Sequence, residues 1–176
     1  MGTKRIGLAR VEALMENLKR EISFGAGTKL TGVQRPTESV TADDSLLATE
    51  SGTLYVFADA AATLTLPDSG AGDIIGCTFE FVSMLQGTGQ KVVCADTGNE
   101  KIVGAIVASD TDAPDAATKA WGAEVADSFS SVNITSVALG RPGTKWKLTC
   151  VAADRWLVEG VALQSGGSEA TLFATT

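Results

Sequence analysis

Apolar positions recur along the chain with two different periods. Leu8, Val11, Met15, Leu18 and Ile22 are separated alternately by three and four residues, which is the seam of a two-heptad helix. Leu14 widens this stripe, while Glu12, Glu16, Asn17, Lys19 and Glu21 fall on other faces. Two heptads are too short to persist alone in water, so the stripe must rest on another surface. Past Ser23, Phe24, Gly25, Ala26 and Gly27 the period changes to two. Alternating segments at 39–42, 53–58, 61–66, 74–84, 90–95, 101–107, 132–139, 144–151 and 155–161 read as strands. They are separated by turn-forming clusters such as Glu50, Ser51 and Gly52, or Gly140, Arg141, Pro142 and Gly143.

Short strands at this spacing predict a mainly β fold, an antiparallel sandwich or jelly-roll-like barrel, preceded by an N-terminal α-helical arm. The expected division is an arm over residues 1–25, a β-sandwich body over 26–163 and a flexible C-terminal tail over 164–176. Residues 112–127, rich in alanine and with Pro114 near their start, read as a short helix or a long surface excursion. The tail contains Gly166 and Gly167 and then Leu172 and Phe173, a small apolar segment expected to dock on another surface.

Charge divides the chain in the same way. Residues 1–22 carry five basic and three acidic side chains, and the remainder nine basic and 18 acidic, for a formal net charge of −7. A cationic arm on an anionic body can reach a neighbour's body by attraction. Lys4, Arg5 and Arg10 would steer it, and Leu8, Val11, Met15, Leu18 and Ile22 would anchor it. Residues 36–90 hold eight acidic side chains and no Lys or Arg, which reads as a solvated anionic face and a seat for such an arm. An acidic body argues against nucleic acid as a partner. No uninterrupted apolar run is long enough to span a bilayer, and the charges at Lys4, Arg5, Arg10 and Glu12 interrupt any secretion-signal core.

Candidate chemistry is sparse. The chain has no histidine, which excludes Ser-His, Cys-His and His-metal sites. Cys77, Cys94 and Cys150 are few, far apart and set in apolar surroundings, so buried reduced thiols are expected and no metal site. Asp110, Asp112 and Asp115 could collect oxygen ligands for calcium but lack the Gly and terminal Glu of an EF-hand loop. Asp43, Asp44 and Asp59 read as caps and turn formers. Gly87 and Gly89, like Gly70 and Gly72, lack the Lys-Ser/Thr continuation of a phosphate loop. Trp121, Trp146 and Trp156 would offer a sugar-stacking platform if exposed and coplanar; alternation around Trp146 and Trp156 points instead to core packing. No enzyme and no cofactor is expected.

The run from Ser51 through Tyr55, Phe57, Leu64, Leu66 and Pro67 to Gly72, followed by Cys77 to Val82, resembles β-modules of tailed-bacteriophage virion proteins. The closing segment from Trp146 through Cys150 and Trp156 to Gly160 resembles the Trp-containing terminal hairpin of the same modules. The segment from Lys4 to Ile22 is similar to the N-terminus of small structural proteins of marine and cyanobacterial phages. The size of the chain, with no long shaft and no second domain, favours the small capsid decoration (cement) proteins within this group. The resemblance implies a non-enzymatic virion protein made in the host bacterial cytoplasm. It would decorate the outer capsid surface and bridge neighbouring subunits of the major capsid protein. It would also associate with itself, as a homotrimer or a dimer, and bind neither membrane nor nucleic acid. A phage tail-tip or fibre module binding a host surface glycan is the alternative.

Overall fold

The computed structural model describes residues 34–111, 118–134, 140–164 and 172–176. Arg35–Thr176 forms one compact unit. Its strands are β1 (Thr37–Val40), β2 (Asp44–Ser45), β3 (Leu54–Phe57), β4 (Thr63–Thr65), β5 (Thr78–Ser83) and β6 (Gln90–Val93). They continue with β7 (Lys101–Asp110), β8 (Thr118–Ala123), β9 (Ser131–Ile134), β10 (Lys145–Ala152), β11 (Arg155–Gln164) and β12 (Phe173–Ala174). A seven-stranded sheet runs β1-β3-β5-β10-β11-β7-β8, and a five-stranded sheet runs β12-β9-β6-β4-β2.

The mainly β class is as expected, and a strand covers part of every segment read as one. The antiparallel or jelly-roll-like arrangement is corrected, because both sheets are mixed. From β1 to β6 the chain alternates between them, odd strands entering the large sheet and even strands the small one. A chain that crosses to the other sheet and returns lays successive strands of one sheet in the same direction. β1, β3 and β5 are therefore parallel neighbours, as are β2, β4 and β6. Period-two alternation is the same for either direction, and an arch between sheets uses the same Gly, Asp and Ser residues as a hairpin.

Antiparallel pairing closes the coil. β10 pairs with β5 on one side and β11 on the other, while β9 pairs with β6. The β10–β11 hairpin turns at Ala153 and Asp154, with Asp154 left-handed at φ 58°, a conformation Asp tolerates. β11 then runs parallel to β7 over the length of both strands.

The inward residues of the two sheets share one core. Trp146 stacks between Phe57 and Phe81, with ring centroids 5.8 and 5.5 Å away. Tyr55 stacks on Phe81 at 5.8 Å, and Phe79 tilts against Trp156 at 6.1 Å. Gly160 lies opposite Trp146 on β11, where a Cβ would come within 2.7 Å of the Trp146 Cβ and of the Lys145 carbonyl oxygen, so glycine lets the two strands approach there. At Gly104, φ is +121° and a Cβ would meet the Val158 carbonyl oxygen at 2.2 Å, so only glycine lets β7 lie against β11 there.

Two further expectations are corrected. Within 112–127, residues 118–123 form β8 rather than a helix, with a single 3₁₀ turn at Val125–Asp127. Pairing with the free edge of the long strand β7 outweighs the weak helical preference of an alanine-rich segment. Leu172 and Phe173, expected to leave the body, are buried in its core at 1% and 2% exposure. β12 pairs with β9, and Phe173 stacks on Phe129 at 5.7 Å. Their surface is thus covered within the chain and is not a free docking segment. The helical arm, with its anchors and steering charges, lies outside the described residues.

Replacing Phe173 by Ala removes a buried aromatic ring and is expected to destabilise the body by about 3–5 kcal/mol. Gly160→Ala forces a methyl group into the Trp146 contact and should cost roughly 1–3 kcal/mol. Urea unfolding followed by tryptophan fluorescence checks both, since Trp146 and Trp156 report on the core directly.

Candidate functional site

The inward positions are filled by the core, so chemistry available to a partner lies on the outer faces. Outward residues of the large sheet align in rows across its central strands. One row joins Val56, Val82, Lys145, Val161, Val107 and Ala120. Val161 and Val107 are 53% and 40% exposed, and Val56 and Val82 are half-buried. A neighbouring row joins Leu54, Glu80, Lys147, Glu159 and Ala105. On the other side of it, Thr78, Thr149, Leu157 and Val103 continue the face.

The charges set among these apolar residues are paired with one another. Glu80 bridges Arg35 and Lys145, and Lys147 Nζ lies 2.7 Å from Glu159 Oε2. Arg35 is held further by donating from Nε to the Gly52 carbonyl at 2.8 Å and from Nη2 to the Thr53 carbonyl at 3.3 Å. Of these pairs, Lys147–Glu159 is exposed and adds little stability, while the Glu80 side chain, 12% exposed, is largely buried beside its two cations. The shared effect of the pairs is to cancel charge locally, so that an otherwise anionic body presents an apolar face. A shallow groove of about 410 Å³ opens on this face between the paired side chains and Val161.

The edge formed by β1, β2 and β4 has the opposite character. Glu38, Asp43 and Asp44 lie there beside Ser45, Thr63 and Thr65. Asp43 Oδ1 accepts from the Thr63 N–H at 2.7 Å, Asp44 Oδ1 from the Ser45 N–H at 2.7 Å, and Asp59 Oδ1 from the Ala61 N–H at 2.7 Å. Of the three, Asp59 makes the local turn expected of it, whereas Asp43 holds the start of β4 from 20 residues away and Asp44 lies within β2. Asp110 ends β7, and Asp112 and Asp115 lie outside the described residues. Among the described residues, no group of three or more His, Cys, Asp or Glu side chains could hold a metal ion.

Glu100 is fully buried, and its carboxylate accepts hydrogen bonds from four donors. They are the Ser69 N–H at 2.8 Å, the Ser69 hydroxyl, the Asp96 N–H at 2.8 Å and the Trp156 Nε1–H at 3.2 Å. None is a cation, and together they tie two loops to β11. With both oxygens so engaged, Glu100 is an architectural group rather than a general base. Nearby Cys94 is buried, and desolvation, with a smaller contribution from Glu100, pushes its thiol up to about 12. Tyr55 is pushed up likewise, by burial first and then by the hydrogen bond its hydroxyl donates to Glu50 at 3.1 Å.

Trp146 and Trp156 are core residues at 1% and 0% exposure, so neither can belong to a sugar-stacking platform. Trp121 is half-buried on the inward side of β8, opposite Ile106. The outer apolar face escaped the period-two reading. Its signal is present in β7 and β11, where Ile102-Val103, Ile106-Val107, Trp156-Leu157 and Val161-Ala162-Leu163 place apolar residues at both parities, the mark of a strand covered on two sides.

No family model, curated protein or solved structure matches this chain.

Glu100→Ala leaves buried donors without an acceptor and should cost about 2–4 kcal/mol, measured by chemical unfolding. Asp96 is held below the ordinary Asp value, first by the Asn99 side-chain amide and then by backbone N–H groups. Its contribution is therefore present above the ordinary Asp range and lost as pH falls through the lowered value. Asp96→Asn should flatten the acid limb of the stability curve, read from urea midpoints between about pH 5 and 2.

Proposed function

We propose that this protein is a non-enzymatic structural component of a tailed-phage virion that decorates the outer capsid surface and bridges neighbouring capsid subunits. The observation that carries the reading is the exposed, charge-compensated apolar face of the large sheet, centred on Val107 and Val161. Burying a valine side chain in a contact contributes about 1.5–3 kcal/mol, and a face already neutralised by its own ion pairs has few unpaired charges to desolvate. Further support comes from where the virion-like segments fall. The run from Ser51 to Val82 contains β3, β4 and most of β5, and that from Trp146 to Gly160 forms most of the β10–β11 hairpin, so the resemblance includes β5, β10 and β11 at the centre of the large sheet as well as β4 of the small one.

In this reading the sheet face packs against capsid subunits, and Leu8, Val11, Met15, Leu18 and Ile22 of the N-terminal segment add anchors, steered by Lys4, Arg5 and Arg10. The protein associates with itself, and symmetric repetition over the shell multiplies a modest gain per copy. Glycan recognition by stacking is disfavoured because Trp146 and Trp156 are spent on the core.

The test is co-sedimentation of the purified protein with tailed-phage heads that lack it, over a concentration series. Saturation at fixed stoichiometry is expected. Val107→Thr with Val161→Thr, which keeps side-chain shape and strand preference, should weaken binding by roughly tenfold while leaving the melting temperature nearly unchanged. Deletion of residues 1–25 separates the contribution of the arm from that of the face. Absence of binding at micromolar protein would overturn the proposal.

A further inference from the structure

We propose that Cys77 and Cys150 form an oxidisable pair that closes to a cross-strand disulfide between β5 and β10. Both are free thiols in the structure. Immediately beyond the Thr78–Thr149 register pair, the Cys150 N–H donates to the Cys77 carbonyl at 2.9 Å, and the Gly76 N–H donates to the Cys150 carbonyl at 2.8 Å. Gly76 and Cys77 together therefore oppose the single residue Cys150, a β-bulge in which Gly76 takes the required positive φ of 95°. Residues directly opposed in a regular antiparallel pair have Cα atoms about 4.5–5.5 Å apart, and the hydrogen bond from the Cys150 N–H to the Cys77 carbonyl holds these two backbones close, whereas a disulfide spans roughly 4.4–6.8 Å.

Both side chains belong on the same face. Cys77 precedes inward Phe79 by two residues, and Cys150 follows inward Leu148 by two. Cys150 is a core residue, and Cys77 packs against that core. On the other face, the adjacent opposed pair is already in contact, Thr78 Oγ1 to Thr149 Oγ1 at 3.1 Å. Cys94 stands on the opposite sheet, just past β6, where its N–H donates to the Ser130 carbonyl. It is not a cross-strand neighbour of either cysteine.

The two thiols differ in access. Cys77 is half-buried, with its Sγ directed at the Ala48 carbonyl 3.7 Å away, whereas Cys150 is fully buried. Oxidation therefore begins at Cys77. With a low-molecular-weight disulfide such as oxidised glutathione, the Cys77 thiolate attacks one sulfur, a mixed disulfide forms and one glutathione thiolate leaves. The Cys150 thiolate then attacks the Cys77 sulfur and expels the second glutathione thiolate. The protein loses two protons and two electrons, and one oxidised glutathione becomes two reduced molecules. Burial raises the Cys150 thiol, so the closing step accelerates as pH rises. The bridge fastens β5, the last odd strand of the parallel coil, to the hairpin that closes it. None of this depends on the capsid reading.

The experiment incubates the reduced full-length protein with oxidised glutathione, counts thiols after denaturation, and maps the alkylated, non-reduced digest by mass spectrometry. The expected result is a fall from three thiols to one, with a Cys77–Cys150 cross-linked peptide. The melting temperature should rise by roughly 5–10 °C, reversed by reductant. Cys94→Ser should retain the cross-link, while Cys77→Ser and Cys150→Ser should each abolish it. Three thiols persisting, a stable glutathione adduct at Cys77 without closure, or a bridge involving Cys94 would each overturn the proposal. Because the wild-type chain is read by cross-link mapping, a variant that fails to fold does not remove the test.

Discussion

The antiparallel seam between β5 and β10 carries the fold. On one side of it lies a chain wound in parallel turns between two sheets; on the other lie the β10–β11 hairpin and the long strand β7. Aromatic residues of the two halves meet across this seam. Trp146 from the hairpin side fills the space between Phe57 and Phe81 from the coil, and Phe79 from the coil meets Trp156 from the hairpin. The halves are thus completed by each other. Gly160 is part of the same constraint, since any side chain at that position would run into the Trp146 Cβ and the backbone of β10.

Glu100 secures the far end of this arrangement by a different means. Burying a carboxylate without a cation is costly unless its lone pairs are engaged. Here the donors come from the loop at Ser69, the turn at Asp96 and the ring of Trp156. Those hydrogen bonds fix the relative positions of the three segments. That role resembles a keystone more than a catalytic group.

Much of this was legible in the residues before the fold was known. Alternation located the strands, and the placement of Trp146 and Trp156 among inward positions marked them as core. Asp59 was recognisable as a turn residue, but Asp43 and Asp44 were not recognisable as partners of the β2–β4 edge. The pairing was not legible, because β1 to β6 alternate between sheets while their side-chain period remains two. Nor were β2 and β12, each only two residues long; Leu172 and Phe173 acquire their place only when β9 is present to receive them. The outer face required knowing which strands are central, since Val107 and Val161 are far apart in sequence and meet only through the parallel pairing of β7 with β11.

Winding between two sheets also gives the body a direction. At one side of the coil, β5 and β6 are already taken up by β10 and β9. At the other, β1 and β2 are the outermost strands of their sheets among the described residues, and their unpaired backbone groups are what another turn would use. Glu38, Asp43 and Asp44 stand along that edge, so a second copy arriving there meets like charge. The acids act as a stop on strand-by-strand growth.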